Sequence, residues 1–198
     1  MISGKTVWYV LGRMYTDAND RSFDAGFFTH IDGISAPFFK GKTEDETSAY
    51  FTFYADQFES RLIQNGDIAA ALAPPGQWSM YCIPSPNGNW NTPSTFKGTD
   101  AQKIATWQRA STSMSALTGT NTVEDSTQVN YTAGLSVLTF ELVEAVDFEW
   151  QGQTYNLNNL FPDGVTQFGF SSPSPLPPIK NYPTIKPFAG SAILVGGH

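Results

Sequence analysis

The sequence predicts an all-β (mainly β) chain, a single antiparallel β-barrel with a β-sandwich as the alternative, and three observations carry that expectation. Turn formers are abundant, with 17 Gly and 13 Pro in 198 residues. Aromatic residues make up 14% and charged residues only 15%, unlike the Ala/Glu/Lys/Leu-rich balance of a helical bundle. Short runs of aromatic and β-branched residues alternate with polar turn clusters, as strands packed on one face require.

Val7 to Leu11 reads as a first strand, Asp17-Ala18-Asn19-Asp20 as a turn, and Ala25 to Asp32 as its pairing strand. Asp32-Gly33 and Pro37 break the run, and Gly41 to Glu46 is a charged loop. Tyr50-Phe51-Thr52-Phe53-Tyr54 is the strongest strand signal in the chain. Asn65-Gly66 is a hairpin signal that turns back into Ile68 to Leu72. Between Asp56 and Ala73 the alanines suit a helix, but Gly66 and Pro74-Pro75 oppose a long one, so strand is expected.

Trp78 to Ile83 alternates again, and Pro84 to Pro93 is a turn-rich surface loop. Thr99-Asp100-Ala101-Gln102 fits a capping box. The Ser/Thr-rich stretch from Ile104 to Met114 lacks a helical stripe, however, and a strand from Lys103 is preferred. In Leu135 to Val146, Leu138, Phe140 and Leu142 share one face and Thr139 and Glu141 the other. Phe148 to Leu157 reads as a hairpin about Gln151-Gly152, followed by a turn at Pro162-Asp163-Gly164. Six prolines between Ser171 and Pro187 imply an extended, polyproline-like strap, and Ala192 to Val195 a last edge strand. The expected division is an antiparallel β domain over 1–170, with 171–198 packed on it as strap and edge strand.

With 11 Lys plus Arg against 18 Asp plus Glu, the net charge is -7, and the basic residues are scattered, which disfavours nucleic acid as a partner. A single cysteine, Cys82, rules out an internal disulfide framework. No secretory signal is visible at the amino terminus and no apolar run approaches the ~18 residues of a membrane span. A cytoplasmic chain without a membrane span is therefore expected. Asn130-Tyr131-Thr132 matches a glycosylation sequon, which matters only in an exported protein.

Few residues can carry chemistry. The histidines are His30 and His198, and Gly-x-Ser-x-Gly is absent, so a serine hydrolase is disfavoured. One cysteine and one internal histidine do not make a zinc site, and no metal or other cofactor is expected. Asp17 to Asp24 offers oxygen ligands but departs from a calcium loop at Arg21 and lacks its central glycine, so an Asx-rich turn is the better reading. Gly4-Lys5-Thr6 and Gly41-Lys42-Thr43 lack the upstream glycine of a phosphate loop.

Glu141 and Glu144, an odd distance apart, should face opposite sides of a strand and cannot pair as glycosidase carboxylates do. Glu144 extends the row of Leu138, Phe140 and Leu142 and is a candidate acid or base if that row lines a pocket. His30 shares an expected face with Phe28 and Asp32. With the Tyr81 hydroxyl, His30 and Glu144 make up the candidate catalytic set. Trp107 and Arg109 share a face and suit stacking on, or anchoring, an anionic ligand. Tyr9, Tyr54, Trp78 and Phe140 complete the expected ligand-binding set.

Trp and Tyr concentrate where an apolar cavity also needs oriented donors. The leading expectation is thus a barrel whose aromatic-lined pocket holds a small apolar or aromatic molecule. It extends to a metal-independent cyclase or isomerase that folds its substrate into a reactive shape. In its series of strands and polar loops the chain resembles the calycin and allene oxide cyclase type of barrel; that resemblance implies the fold and transfers no site residue. The alternatives are a carbohydrate-binding sandwich using Trp78 or Trp90 beside Asn87, Asn89 and Asn91, and a structural protein whose Pro-rich end wraps a neighbour. Pro175 to Lys180 also matches a Pro-x-x-Pro ligand, though a strap over the protein's own surface fits better. Whether copies of the chain associate stays open at this stage.

Overall fold

The computed structural model describes residues 5–59, 61–65, 68–123, 126–172 and 175–194; for the strand residues 59, 61–62, 64–65, 68–75, 110–123 and 126–133 the description is of backbone pairing. Twelve strands run in chain order: β1 (Thr6–Thr16), β2 (Arg21–Ile31), β3 (Phe51–Ala55), β4 (Phe58–Glu59), β5 (Arg61–Asn65), β6 (Ile68–Cys82), β7 (Gln102–Val123), β8 (Ser126–Ala145), β9 (Phe148–Trp150), β10 (Gln153–Tyr155), β11 (Val165–Ser171) and β12 (Thr184–Leu194). A 3-10 turn spans Pro93–Lys97, and one helical turn, α1, spans Leu157–Leu160. Among the described residues no helix is long and apolar enough to cross a membrane.

Eight strands close into an antiparallel barrel in the order β1-β12-β11-β8-β7-β6-β3-β2, with β2 returning to β1. Closure gives every strand of the ring two neighbours and removes the open edges of a flat sheet. β4 pairs with β2 and β5 with β6, both outside the ring. The β5–β6 pairing places Asn65 opposite Ile68; the expected Gly66 of that hairpin lies outside the described residues. Alternation sends Trp8, Val10 and Phe28 inward with Phe53, Trp78, Met80, Trp107 and Phe140, all buried. Gly12 and Gly26 face each other across β1 and β2. A Cβ on Gly26 would lie 2.2 Å from the Leu11 carbonyl oxygen, so only glycine lets these strands coil so closely.

Two bulges reverse faces that strict alternation assigns. In β2, Tyr9 pairs with His30 but Val10 with Phe28, so Thr29 is an extra residue. His30 therefore shares the outer face of Tyr9, not the inner face of Phe28. In β8, Trp107 pairs with Leu142 and Thr106 with Glu144, leaving Val143 extra. Glu144 is thereby turned away from the inner row of Leu138, Phe140 and Leu142, and shares the outer face with Glu141, contrary to the expectation that the two oppose each other.

The carboxyl-terminal segment also differs from expectation. β12 is not an edge: it sits between β1 and β11 and completes the ring. Pro187 is tolerated inside it because its carbonyl accepts from Ser172 N, just past the last residue of β11, where a missing ladder donor matters least. Upstream, the proline-rich stretch folds back through isolated bridges, Leu176 with Ile185 and Ile179 with Tyr182. It packs on a second apolar cluster outside the barrel, formed by Tyr15, Phe23, Phe27, Phe96 and Ile185. The loop after β6 covers the same cluster, with the Tyr15 hydroxyl donating to the Trp90 carbonyl at 2.9 Å.

The β7–β8 hairpin is longer than the barrel needs. Their pairing continues from Leu117 opposite Tyr131 to Val123 opposite Ser126, where neither strand pairs with a third among the described residues.

Candidate functional site

The barrel interior is built in layers. At its centre Trp8 lies against five rings: Phe28 at 5.8 Å, Trp78 at 6.0 Å, Trp107 at 5.7 Å, Phe140 at 6.2 Å and Phe161 at 5.7 Å between centroids. Two polar tips in this layer are paired: Trp8 Nε1 donates to Gln167 Oε1 at 2.8 Å, and Trp107 Nε1 to Met80 Sδ at 3.1 Å. One end of the barrel is plugged by the β9–β10 hairpin and α1. Trp150 Nε1 donates to the Ser35 carbonyl at 2.8 Å, and the Trp150 ring lies 5.0 Å from Phe51. Side chains therefore pack the plugged end and the middle of the barrel.

At the opposite end the described residues include three charged side chains. Met14 on β1 and Asp24 on β2 pair there, and Lys186 on β12 pairs with Met14, all three on inward positions. From β7, Arg109 reaches across with only 2% of its surface exposed. Its Nη1 donates to Asp24 Oδ2 at 2.6 Å, and its guanidinium carbon lies 4.2 Å from the centroid of the Phe58 ring, which β4 carries over this end. Arg109 Nε and Nη2, with Thr106 Oγ1, are buried side-chain polar atoms lacking a hydrogen-bond partner among the described residues. Opposite Arg109 on β6 is Gly76, where an added Cβ would meet only Arg109 Nη2, at 3.9 Å, among the described residues. Burial pushes the Asp24 carboxyl above its usual range despite the guanidinium beside it, and burial lowers the Lys186 ammonium.

The sequence-derived candidates divide between inside and outside. Trp78, Trp107 and Phe140 belong to the central layer, each at most 2% exposed, and Arg109 anchors the polar end. Tyr9 is 47% exposed on the outer face. Tyr54 also faces outward, stacked on Phe23 at 4.9 Å with Lys97 Nζ 4.2 Å over its ring; burial raises its hydroxyl to about 12. The catalytic candidates come from three strands and do not meet within the barrel. His30 lies 6.1 Å from the Tyr9 ring and 5.8 Å from Phe38. Tyr81 alternates with the inward Met80 and Cys82, and burial on the outer face raises its hydroxyl. The Glu144 side chain is 58% exposed, 3.8 Å from Lys103 Nζ.

No family model, curated protein or solved structure matches the chain.

The geometry also bears on Trp78, Trp90 and the Asx-rich turn expected at Asp17. Trp78 is buried in the barrel, and Trp90 is half-buried, with the Arg13 guanidinium 4.4 Å from its ring centroid and Phe96 at 4.8 Å, so of the two only Trp90 keeps an accessible ring. The Asp17 carboxylate accepts from Asn19 N, Arg21 N and the Arg21 guanidinium, as an Asx turn closed by an ion pair. Sequence reasoning missed Asp24, Phe58 and Gln167. A signal for Asp24 was present: one carboxylate inside the apolar run Phe23 to Phe28 asks for a buried cation.

Proposed function

We propose that the chain is a small-molecule-binding β-barrel whose site is its polar end, with the aromatic layer as floor and Arg109 as polar anchor. One observation carries this reading: a guanidinium 2% exposed, with Nε and Nη2 unpaired among the described residues, beside a glycine whose added Cβ would meet, among the described residues, only Arg109 Nη2. Buried donors are normally satisfied, and exceptions mark places where a further group belongs. Extended to a cofactor-independent cyclase or isomerase, the reading gives the proton-transfer role to Asp24. Glu144, His30 and Tyr81 face away from the floor.

The test is tryptophan fluorescence and thermal shift with a series of apolar aromatic compounds, on wild-type protein and Gly76→Met. Saturable binding by the wild type that is lost when methionine fills the space beside Arg109 supports the reading. No saturable binding, or binding indifferent to the substitution, refutes it.

A second reading, assembly with further copies of the chain, rests on the β7–β8 extension. Two strands alone are marginal in water, and their edges are templates for pairing. Between Ala110 and Phe140 the only charged residues are Glu124 and Asp125, so little repulsion opposes such pairing. Light scattering after size exclusion tests it: replacing 118–130 by an Asn-Gly turn should convert an oligomer to a monomer. A monomeric wild type would sink it.

A further inference from the structure

We infer that the polar end of the barrel recognises a carboxylate, held by both oxygens on the Nε–Nη2 edge of Arg109. The inference rests on the binding reading above and adds the chemical class of the ligand. Asp24 engages the guanidinium through Nη1 alone. A carboxylate placed only to neutralise arginine usually takes two parallel N–H donors, because the fork matches its two oxygens. Here the side-on pair, Nε and Nη2, has no partner among the described residues.

Three further features select the ligand. The guanidinium plane is fixed by the Phe58 ring at 4.2 Å, so the free edge keeps one direction. That direction is bounded by Gly76, where an added Cβ would have Arg109 Nη2, at 3.9 Å, as its one neighbour among the described residues. The floor beneath is aromatic, so an apolar body attached to the carboxylate would lie against hydrocarbon.

The experiment is titration calorimetry with ω-phenylalkanoic acids of three to eight carbons and their primary amides, matched in length. Wild-type protein is expected to bind the best acid at least ten-fold more tightly than its amide. Asp24→Asn removes the competing anion, and should tighten the acid at least three-fold relative to the amide. In Arg109→Met the acid and amide should bind alike. Equal affinity for acid and amide in the wild type overturns the carboxylate inference and leaves the binding barrel standing. Failure of every acid and every amide to bind overturns both. The wild-type comparison needs no variant, so a poorly folding Arg109→Met does not blunt the test.

Discussion

The indole–amide pair at the centre of the barrel offers a measurable check on how dry and how filled the interior is. Trp8→Phe keeps a ring but strands Gln167 Oε1, which otherwise accepts from Trp8 Nε1 at 2.8 Å. Leaving that buried acceptor unpaired costs about 2 kcal/mol. Losing the hydrocarbon of the second ring, packed among five neighbours, adds about 2 kcal/mol more. Gln167→Leu alone strands the indole N–H and costs about 2 kcal/mol. In the double variant no polar group is orphaned, so only the hydrocarbon loss and the modest net value of one hydrogen bond remain, about 3 kcal/mol together. The double variant should thus be less damaged than the two singles imply, by about 2 to 3 kcal/mol. Urea unfolding of the four proteins, with unchanged m-values, measures this coupling. Additivity within about 0.5 kcal/mol would show that water already reaches the pair, and the packed-interior argument would fail.

Three other outcomes are expected. Gly26→Ala should unfold the protein or lower its melting temperature by more than 10 °C, because the new methyl meets backbone that cannot step aside; a shift below 3 °C in thermal denaturation would contradict this. Cys82 is buried, and its thiol is pushed up to about 11. Alkylation by iodoacetamide at pH 8 should therefore run at least a hundred-fold slower in the native protein than in urea, and comparable rates would place the thiol at the surface. Asp24 holds its proton more tightly folded than at its ordinary value of 3.8. Its stabilising contribution is therefore full below that value and is lost as pH rises through the folded one. Acidification from pH 7 should stabilise wild-type protein relative to Asp24→Asn, and a fall in that difference on urea titration would reverse the assignment.

Much of the barrel could be anticipated because its strands obey local rules. The β1–β2 pair follows its two apolar runs, and β7 starts at Gln102, next to the expected Lys103. The β9–β10 turn has Gln151 and Gly152 at φ 50 and 74, as its Gln-Gly signal requires. The site was harder for a specific reason. Alternation assigns faces correctly only while pairing stays in register, and the bulges at Thr29 and Val143 stand directly before His30 and Glu144. A bulge is set by the neighbouring strand, so one strand's own residues do not announce it. Arg109 and Asp24 are joined across 85 positions of chain, which no local pattern encodes. Trp107 and Arg109 do share the inner face, as their spacing suggested. Asn156, whose side chain accepts from Asn158 N, starts a helical turn too short to leave a periodic trace.

The insertion of β12 between β1 and β11 has a consequence for how the molecule comes into being. During synthesis β1 leaves the ribosome early and can find β2 at once, but its other flank must wait for residues 184–194. Until then the nascent sheet is a gapped cylinder with two sticky lips, β1 and β11, and its final seam joins distant parts of the chain. A chain interrupted before Thr184 would keep that gap for good, and would be expected to seek its missing strand in a neighbour.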